Sequence, residues 1–580
     1  MDAAKKTISD IFNGNRILEI PFFQRAYVWG ENQWERLLED MELVTVIKKP
    51  YFLGSVILKQ QLTSTNHQVG DVRTLIDGQQ RLTTLNIFFK VLALKTNSNA
   101  LFERTFKLVS DELALWHNHN DIESFQKVLN LTSLEDIEES DNIIQAYNYF
   151  KQKIDPNKLD RQTILNNLMF VGIDLGVDED EQQIFDTINS LGVRLTTAEL
   201  LKNYFFNRDE IDFYNQYWKN IFESNEETKN YWDREITTGR LKRTFIDLFF
   251  YSYLQIKIQE SNLKVRTEDK VEYSKVETLF ESYKSFIKNY IEPNGLTKRD
   301  VLEEIKDYAN IFKDNFDYDI INKELTADFG IERINAIIFG LDTSTLIPYT
   351  LYALKNIPDE DEKKSLFELI ESYIMRRMVV KATTKNYNQL FTDRLISNKI
   401  LSKGQFQNYI GRSNDKINFL PNNQELKNGF DNSILVNKQA AGIIYLLESK
   451  IRNRSKQATQ LLGISKYSLE HLMPKKWENK WPSVSTQEQK DFRNRKLKTL
   501  GNLAIITQSL NASIRDSNWP TKKSGIKSKK KFGLQHYSAG IETLAPYLNL
   551  QEWNEIEIEK RANDLYEMAI ENWKFKEINN

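Results

Sequence analysis

The sequence predicts an α+β protein of several domains, on three observations. Its 580 residues exceed what one hydrophobic core accommodates. Strand-like runs fall in two separate places, residues 51–76 and residues 469–507. Between them, over about residues 210–450, apolar and aromatic residues recur at helical spacing, as Phe245, Leu248, Phe249, Tyr253 and Ile256 do. The chain divides accordingly into residues 1–210, of mixed strands and helices, a helical bridge over 211–435, and a C-terminal domain over 436–580.

Taken in order, Pro21 disfavours a helix before it, and Gln24-Arg25 among the aromatics of residues 20–29 marks a loop. A helix over 32–46 gathers Trp34, Leu37, Leu38 and Met41 on one face. Residues 51–58 read as a buried strand, 61–71 as a hairpin turn and 73–76 as the returning strand. That strand runs into Asp77-Gly78-Gln79-Gln80-Arg81, at the mouth of a helix carrying Leu82, Leu85, Phe89 and Leu92. Gly78 permits a tight turn, the helix start offers unpaired N–H groups and Arg81 offers a planar fork, a combination suited to a phosphate. A plain strand-to-helix turn with solvated polar residues fits these five residues equally well.

Residues 95–180 read as polar and helical. Within them His117 and His119 lack an acidic partner at metal-binding spacing, so a solvated helix end is the better reading. The acidic run Asp178 to Glu181 complements the dipole of a helix around Phe185. Gly192 stops that helix, and Thr196 with Glu199 forms a capping box for the next, so that Asn189 and Arg194 flank a turn facing the Asp77 site. Arg376 and Arg377 lie on an apolar helix, where they either buttress an acidic partner or reach toward the phosphate site. Residues 401–433, rich in Asn, Gly and Ser around Pro421, read as a loop before a helix over 439–452.

The chemistry concentrates near the C-terminus. Glu470-His471 is followed by Asn502 and Asn511, in the order strand, loop, helix. Such a set can cleave a phosphodiester: His471 deprotonates water, Asn502 holds the loop or the imidazole, and Glu470 with Asn511 offers oxygens to Mg²⁺ or Mn²⁺. The surroundings suit a polyanion. Residues 451–535 carry nineteen Lys or Arg against five Asp or Glu, a local +14 in a chain of net charge −2. Within this segment Lys522, Lys523, Lys529, Lys530 and Lys531 read as a flexible loop contacting DNA phosphates, which supplies affinity without sequence choice. There is no cysteine, which excludes disulfides and Cys-based zinc. No apolar run is long enough to cross a bilayer, so a cytoplasmic protein without membrane contact is expected.

Two resemblances sharpen this reading. His471, Asn502 and Asn511 resemble the His-Asn-Asn variant of the HNH, or His-Me finger, nucleases, which implies a general base, a positioning residue and, with Glu470, a metal side. The N-terminal blocks Pro21-x-x-Gln24-Arg25-x-Tyr27-x-Trp29, Phe52-Leu53-Gly54-Ser55 and Asp77 to Leu85, with residues 184–196, resemble the ParB-like N-terminal domain of GmrSD-type proteins. That resemblance extends over nearly the whole chain. It implies a Type IV restriction endonuclease in phage defence, stimulated by a nucleoside triphosphate (NTP) and acting on double-stranded DNA that carries a modification. It further implies that Gln24, Arg25, Asp77, Gln79, Gln80 and Arg81 line a nucleotide site with NTPase activity. No Gly-x-x-x-x-Gly-Lys-Ser/Thr run is present, so the phosphate cradle is not a P-loop. The rival readings are an NTP-controlled DNA sensor without cleavage and a toxic nuclease or RNase restrained by a partner protein, with homo-oligomerisation open in each case.

Overall fold

The computed structural model describes residues 2–21, 26–61, 71–138, 141–176, 196–206, 210–238, 241–411, 417–452, 460–526, 531–538 and 540–574. These form two compact units, Met1–Lys219 and Asn220–Asn580.

The first unit is built on a six-stranded sheet. Its strands are β1 (Asp2–Thr7), β2 (Arg16–Glu19), β3 (Tyr51–Gln60), β4 (Asp71–Asp77), β5 (Leu115–Trp116) and β6 (Leu168–Leu175), in the order β1-β6-β3-β4-β2-β5. β3 and β4 pair antiparallel, as the hairpin reading expects. β6 was not foreseen: it pairs antiparallel with β1 and parallel with β3. Its apolar run Leu168-Met169-Phe170 lies buried between two neighbours, and such a strand lacks the alternation that betrays a half-exposed one. Residues 95–180 therefore hold strand as well as helix.

Helix Glu31–Ile47 buries Trp34, Leu37, Leu38 and Met41, the face expected. Helix Gln79–Lys95 is buried on nearly all sides, from Leu82 to Ala93, and forms the spine of this core. Thr196 and Glu199 do form a capping box on helix Thr197–Phe205. Gln24, Arg25, Asn189, Gly192, Arg194 and the run 178–181 lie outside the described residues.

The second unit is mainly helical, with short two-stranded ribbons. One pairs β7 (Glu235–Thr238) with β8 (Leu241–Thr244), and another pairs β9 (Tyr467–His471) with β10 (Leu503–Thr507). The aromatic stripe of helix Phe245–Lys257 is core, as expected. Arg376 and Arg377 are buried in helix Glu360–Val379 and spend their guanidinium groups on main-chain carbonyls: Arg376 on Trp573 and Pro421, Arg377 on Phe419 and Thr383. Residues 401–433 are not a loop, since helices Lys403–Ile410 and Asn423–Asn432 occupy much of them, capped by Ser402 and Asn422.

The boundary expected at residue 435 does not separate compact units. Arg333 and Glu371 form a fully buried ion pair that Ser449 and the Trp573 indole join, tying the helical bridge to the C-terminal segment in one core. No helix among the described residues is long and apolar enough to cross a membrane.

Candidate functional site

The expected strand-loop-helix arrangement is present around His471. β9 and β10 pair antiparallel, with His471 opposite Leu503 and Glu470 opposite Ala504, and helix Gln508–Ile514 follows directly. Helix Asn437–Ile451 packs against both strands. Successive side chains of a strand point to opposite faces, so Ser468 and Glu470 share one face of β9 and Leu469 and His471 the other.

His471 is half-buried, and its ring has no hydrogen-bond partner among the described residues. Burial, aided by the charges of Lys475 and Lys522, lowers its pKa to about 4. At neutral pH the imidazole is therefore uncharged and able to accept a proton. Asn502 is fully buried and saturated. Its Oδ1 accepts from the Met473 N–H at 2.8 Å and the Trp553 indole at 2.9 Å, while its Nδ2 donates to the carbonyls of Met473 and Leu497. It holds the turn after His471 and does not touch the imidazole. Gly501 beside it passes so close to helix Glu555–Asn572 that a Cβ would lie 2.1 Å from the Ile558 carbonyl oxygen. Asn511 donates through Nδ2 to Ser468 Oγ and the Leu469 carbonyl, both at 3.1 Å, and its Oδ1 accepts no hydrogen bond among the described residues. It also lines a cavity of about 750 Å³, with Ser468, Tyr467, Tyr318, Asp342 and Glu235.

Glu470 and Lys522 depart from expectation. Glu470, expected on the metal side, is 5% exposed, and its carboxylate is taken by the Lys522 ammonium. Lys522, expected on a DNA-contacting loop, is 1% exposed on helix Trp519–Ser524 and cannot reach a phosphate. Burial raises the pKa of Glu470 against the pull of Lys522, and burial lowers that of Lys522 against the pull of Glu470. Lys523, on the same helix, donates to the Leu550 carbonyl, and Lys531 is exposed, whereas Lys529 and Lys530 lie outside the described residues. A signal for this helix was present: Asn518 before Trp519-Pro520 is a capping residue followed by proline in the first turn, and its side chain does accept from the Thr521 N–H. Among the described residues no three His, Asp or Glu side chains gather to hold a metal. A Glu470–Asn511 metal site does not fit this arrangement, because the carboxylate already serves a buried cation.

In the first unit the Asp77–Arg81 turn is tightly built. Gly78 has φ +101°, and a Cβ there would lie 3.0 Å from Val56 Cγ2. Asp77 accepts from Ser55 Oγ at 2.6 Å and from an Arg81 N–H at 3.0 Å. Gln80 pins the preceding aromatic loop, its Oε1 accepting from the Val28 and Trp29 N–H groups. Arg81 Nε and Gln79 Oε1 are buried without a hydrogen-bond partner among the described residues. Arg81 also borders a cavity of about 260 Å³ lined by Trp29, Arg36, Tyr51 and Phe52. His117, by contrast, is no solvated helix end. It is buried, within hydrogen-bonding distance of Thr83 Oγ1 at 2.8 Å, with its pKa lowered by burial to about 3.

Two family models match the chain. Residues 8–206 match the N-terminal domain of GmrSD restriction endonucleases, and residues 420–568 match the C-terminal domain of the same endonucleases. The first span contains the Asp77–Arg81 turn and the second contains His471, Asn502 and Asn511. A search of curated proteins found no match.

Proposed function

Because the chain belongs to the GmrSD restriction endonuclease family, with both domains matched in order along it, we propose that it cuts modified DNA by hydrolysis at His471, stimulated by an NTP bound at the Asp77–Arg81 turn. The observation that carries the reading is the placement of His471: on a strand whose following turn is held by Asn502 and whose edge is held by Asn511, with its ring unengaged by any described side chain. In this reading the imidazole removes a proton from water as the water oxygen bonds to phosphorus, and the ester P–O bond opposite breaks. The leaving oxygen takes a proton from solvent. Mg²⁺ or Mn²⁺ is the ion the family resemblance implies, but Glu470 is engaged by Lys522, and these steps are those of the chain's own residues. Asn502 acts by holding the 472–474 turn, and Asn511 by fixing the outer edge of β9 through Ser468 and Leu469.

The nucleotide reading rests on the turn of the first unit. A helix start, the buried Gln79 Oε1 and Arg81 Nε without partners among the described residues, and a cavity beside Arg81 bordered by Trp29, Tyr51 and Phe52 suit a triphosphate carrying a flat base. NTP hydrolysis and stimulation of cleavage belong to this same proposal, as do phage defence and a double-stranded substrate.

The test is cleavage of two phage DNAs, one with modified cytosines and one without, with Mg²⁺ and mixed NTPs. The parent protein should cut the modified DNA alone. His471→Ala should lose at least about 10²-fold in rate, the low end for loss of a general base, with DNA binding retained. EDTA or omission of NTP should also reduce cutting. Equal cutting by His471→Ala would overturn the assignment of the base, and full-rate cutting without NTP would overturn the nucleotide's role.

A further inference from the structure

Lys522 and Glu470 do more than neutralise each other. The Lys522 ammonium also donates to the main-chain carbonyl of His471 at 2.7 Å. One buried ion pair thus grips the main chain at His471. The next two residues are gripped as well: the Leu472 N–H donates to the Asn502 carbonyl at 2.9 Å, and the Met473 N–H to Asn502 Oδ1 at 2.8 Å.

We propose that Lys522 and Glu470 are a positioning clamp on the main chain of His471, in place of the DNA contact expected of the lysine and the metal contact expected of the glutamate. The inference rests on the reading of His471 given above. Burial argues for it on both sides. A lysine 1% exposed is closed to phosphate, and an ion seeking Glu470 would have to displace an enclosed ammonium and leave it unpaired in the interior. Neither residue touches substrate. Their contribution is to fix the depth and direction from which the imidazole leaves β9.

Three variants of the full chain test this: Lys522→Met, Glu470→Gln and the double variant, which leaves no unpaired charge in the interior. Each is assayed for single-turnover cleavage at saturating DNA, DNA affinity across a salt series, Mn²⁺ binding by electron paramagnetic resonance, and thermal melting, with His471→Ala alongside. Lys522→Met should cut about 10- to 100-fold more slowly, the range typical of lost supporting contacts, with DNA affinity and its salt slope unchanged. Glu470→Gln should leave Mn²⁺ binding unchanged. The double variant should melt near the parent yet still cut at least about tenfold more slowly, which a pair that merely supports the fold would not predict.

The clamp is overturned if Lys522→Met lowers the salt slope by about one, the mark of a lost phosphate contact. It is equally overturned if Glu470→Gln weakens Mn²⁺ binding about tenfold or more, or if the double variant cuts at the parental rate. Undiminished cutting by His471→Ala would strike the reading of the base itself. A dead His471→Ala beside a fully active double variant would strike the clamp alone.

Discussion

His117 shows how a histidine within two residues of another can serve a core. Its ring is closed in against Phe125 and Thr83, and burial holds its pKa near 3, against about 6.5 for a free imidazole. The fold therefore keeps it neutral while the unfolded chain takes up a proton below about pH 6.5. The stability this provides is complete above pH 6.5 and is lost as pH falls through the interval toward 3. Between pH 7 and pH 5 the first unit should lose about 2 kcal/mol from this residue alone, read as a fall in the urea midpoint. His117→Gln should remove most of that pH dependence, and an unchanged slope would show that another group is responsible. The same physics acts on His471, whose half-buried ring is likewise held neutral.

At the level of elements, the His471 ribbon depends on what passes behind it. Gly501 sits where helix Glu555–Asn572 presses against the turn into β10, and Arg561 from that helix donates to the Gly501 and Leu503 carbonyls. Gly501→Ala would drive a methyl group into a main-chain carbonyl that cannot swing aside. It should cost about 1–3 kcal/mol or more, seen in thermal melting, and should slow cleavage, whereas parental stability would mean the helix yields.

Much of this architecture was legible. The 32–46 helix face, the β3–β4 hairpin and the capping box at Thr196 each carry a local signature of spacing, turn or cap. The order of strand, loop and helix around His471, Asn502 and Asn511 was also legible. What was not legible depended on partners distant in sequence. β6 has no alternation because it is buried between two strands, and the lysine of Lys522 reads as surface until the carboxylate 52 residues earlier is folded against it. The pleat of β9 also separates Glu470 from His471, although adjacency in sequence suggests a shared target.

On the scale of the whole molecule, the two units carry different candidate sites. The first holds the Asp77–Arg81 turn, and the second holds His471 together with the basic segment 451–535. A ligand stabilises the part that binds it. Saturating NTP, at about 100 times its Kd, should stabilise the Met1–Lys219 unit by about 2.7 kcal/mol in calorimetry and leave the Asn220–Asn580 transition where it was. A shift confined to the second unit would move the nucleotide site there.

The C-terminal helix has a further consequence, in the order of synthesis. Trp553 closes the hydrogen bonding of Asn502, Arg561 ties down the turn into β10, and the Trp573 carbonyl and indole complete the buried Arg376 and Glu371 cluster. Until those residues have left the ribosome, the histidine lacks its backing. A half-made chain, or one cut short by a premature stop codon, therefore carries the His471 ribbon without the residues that back it.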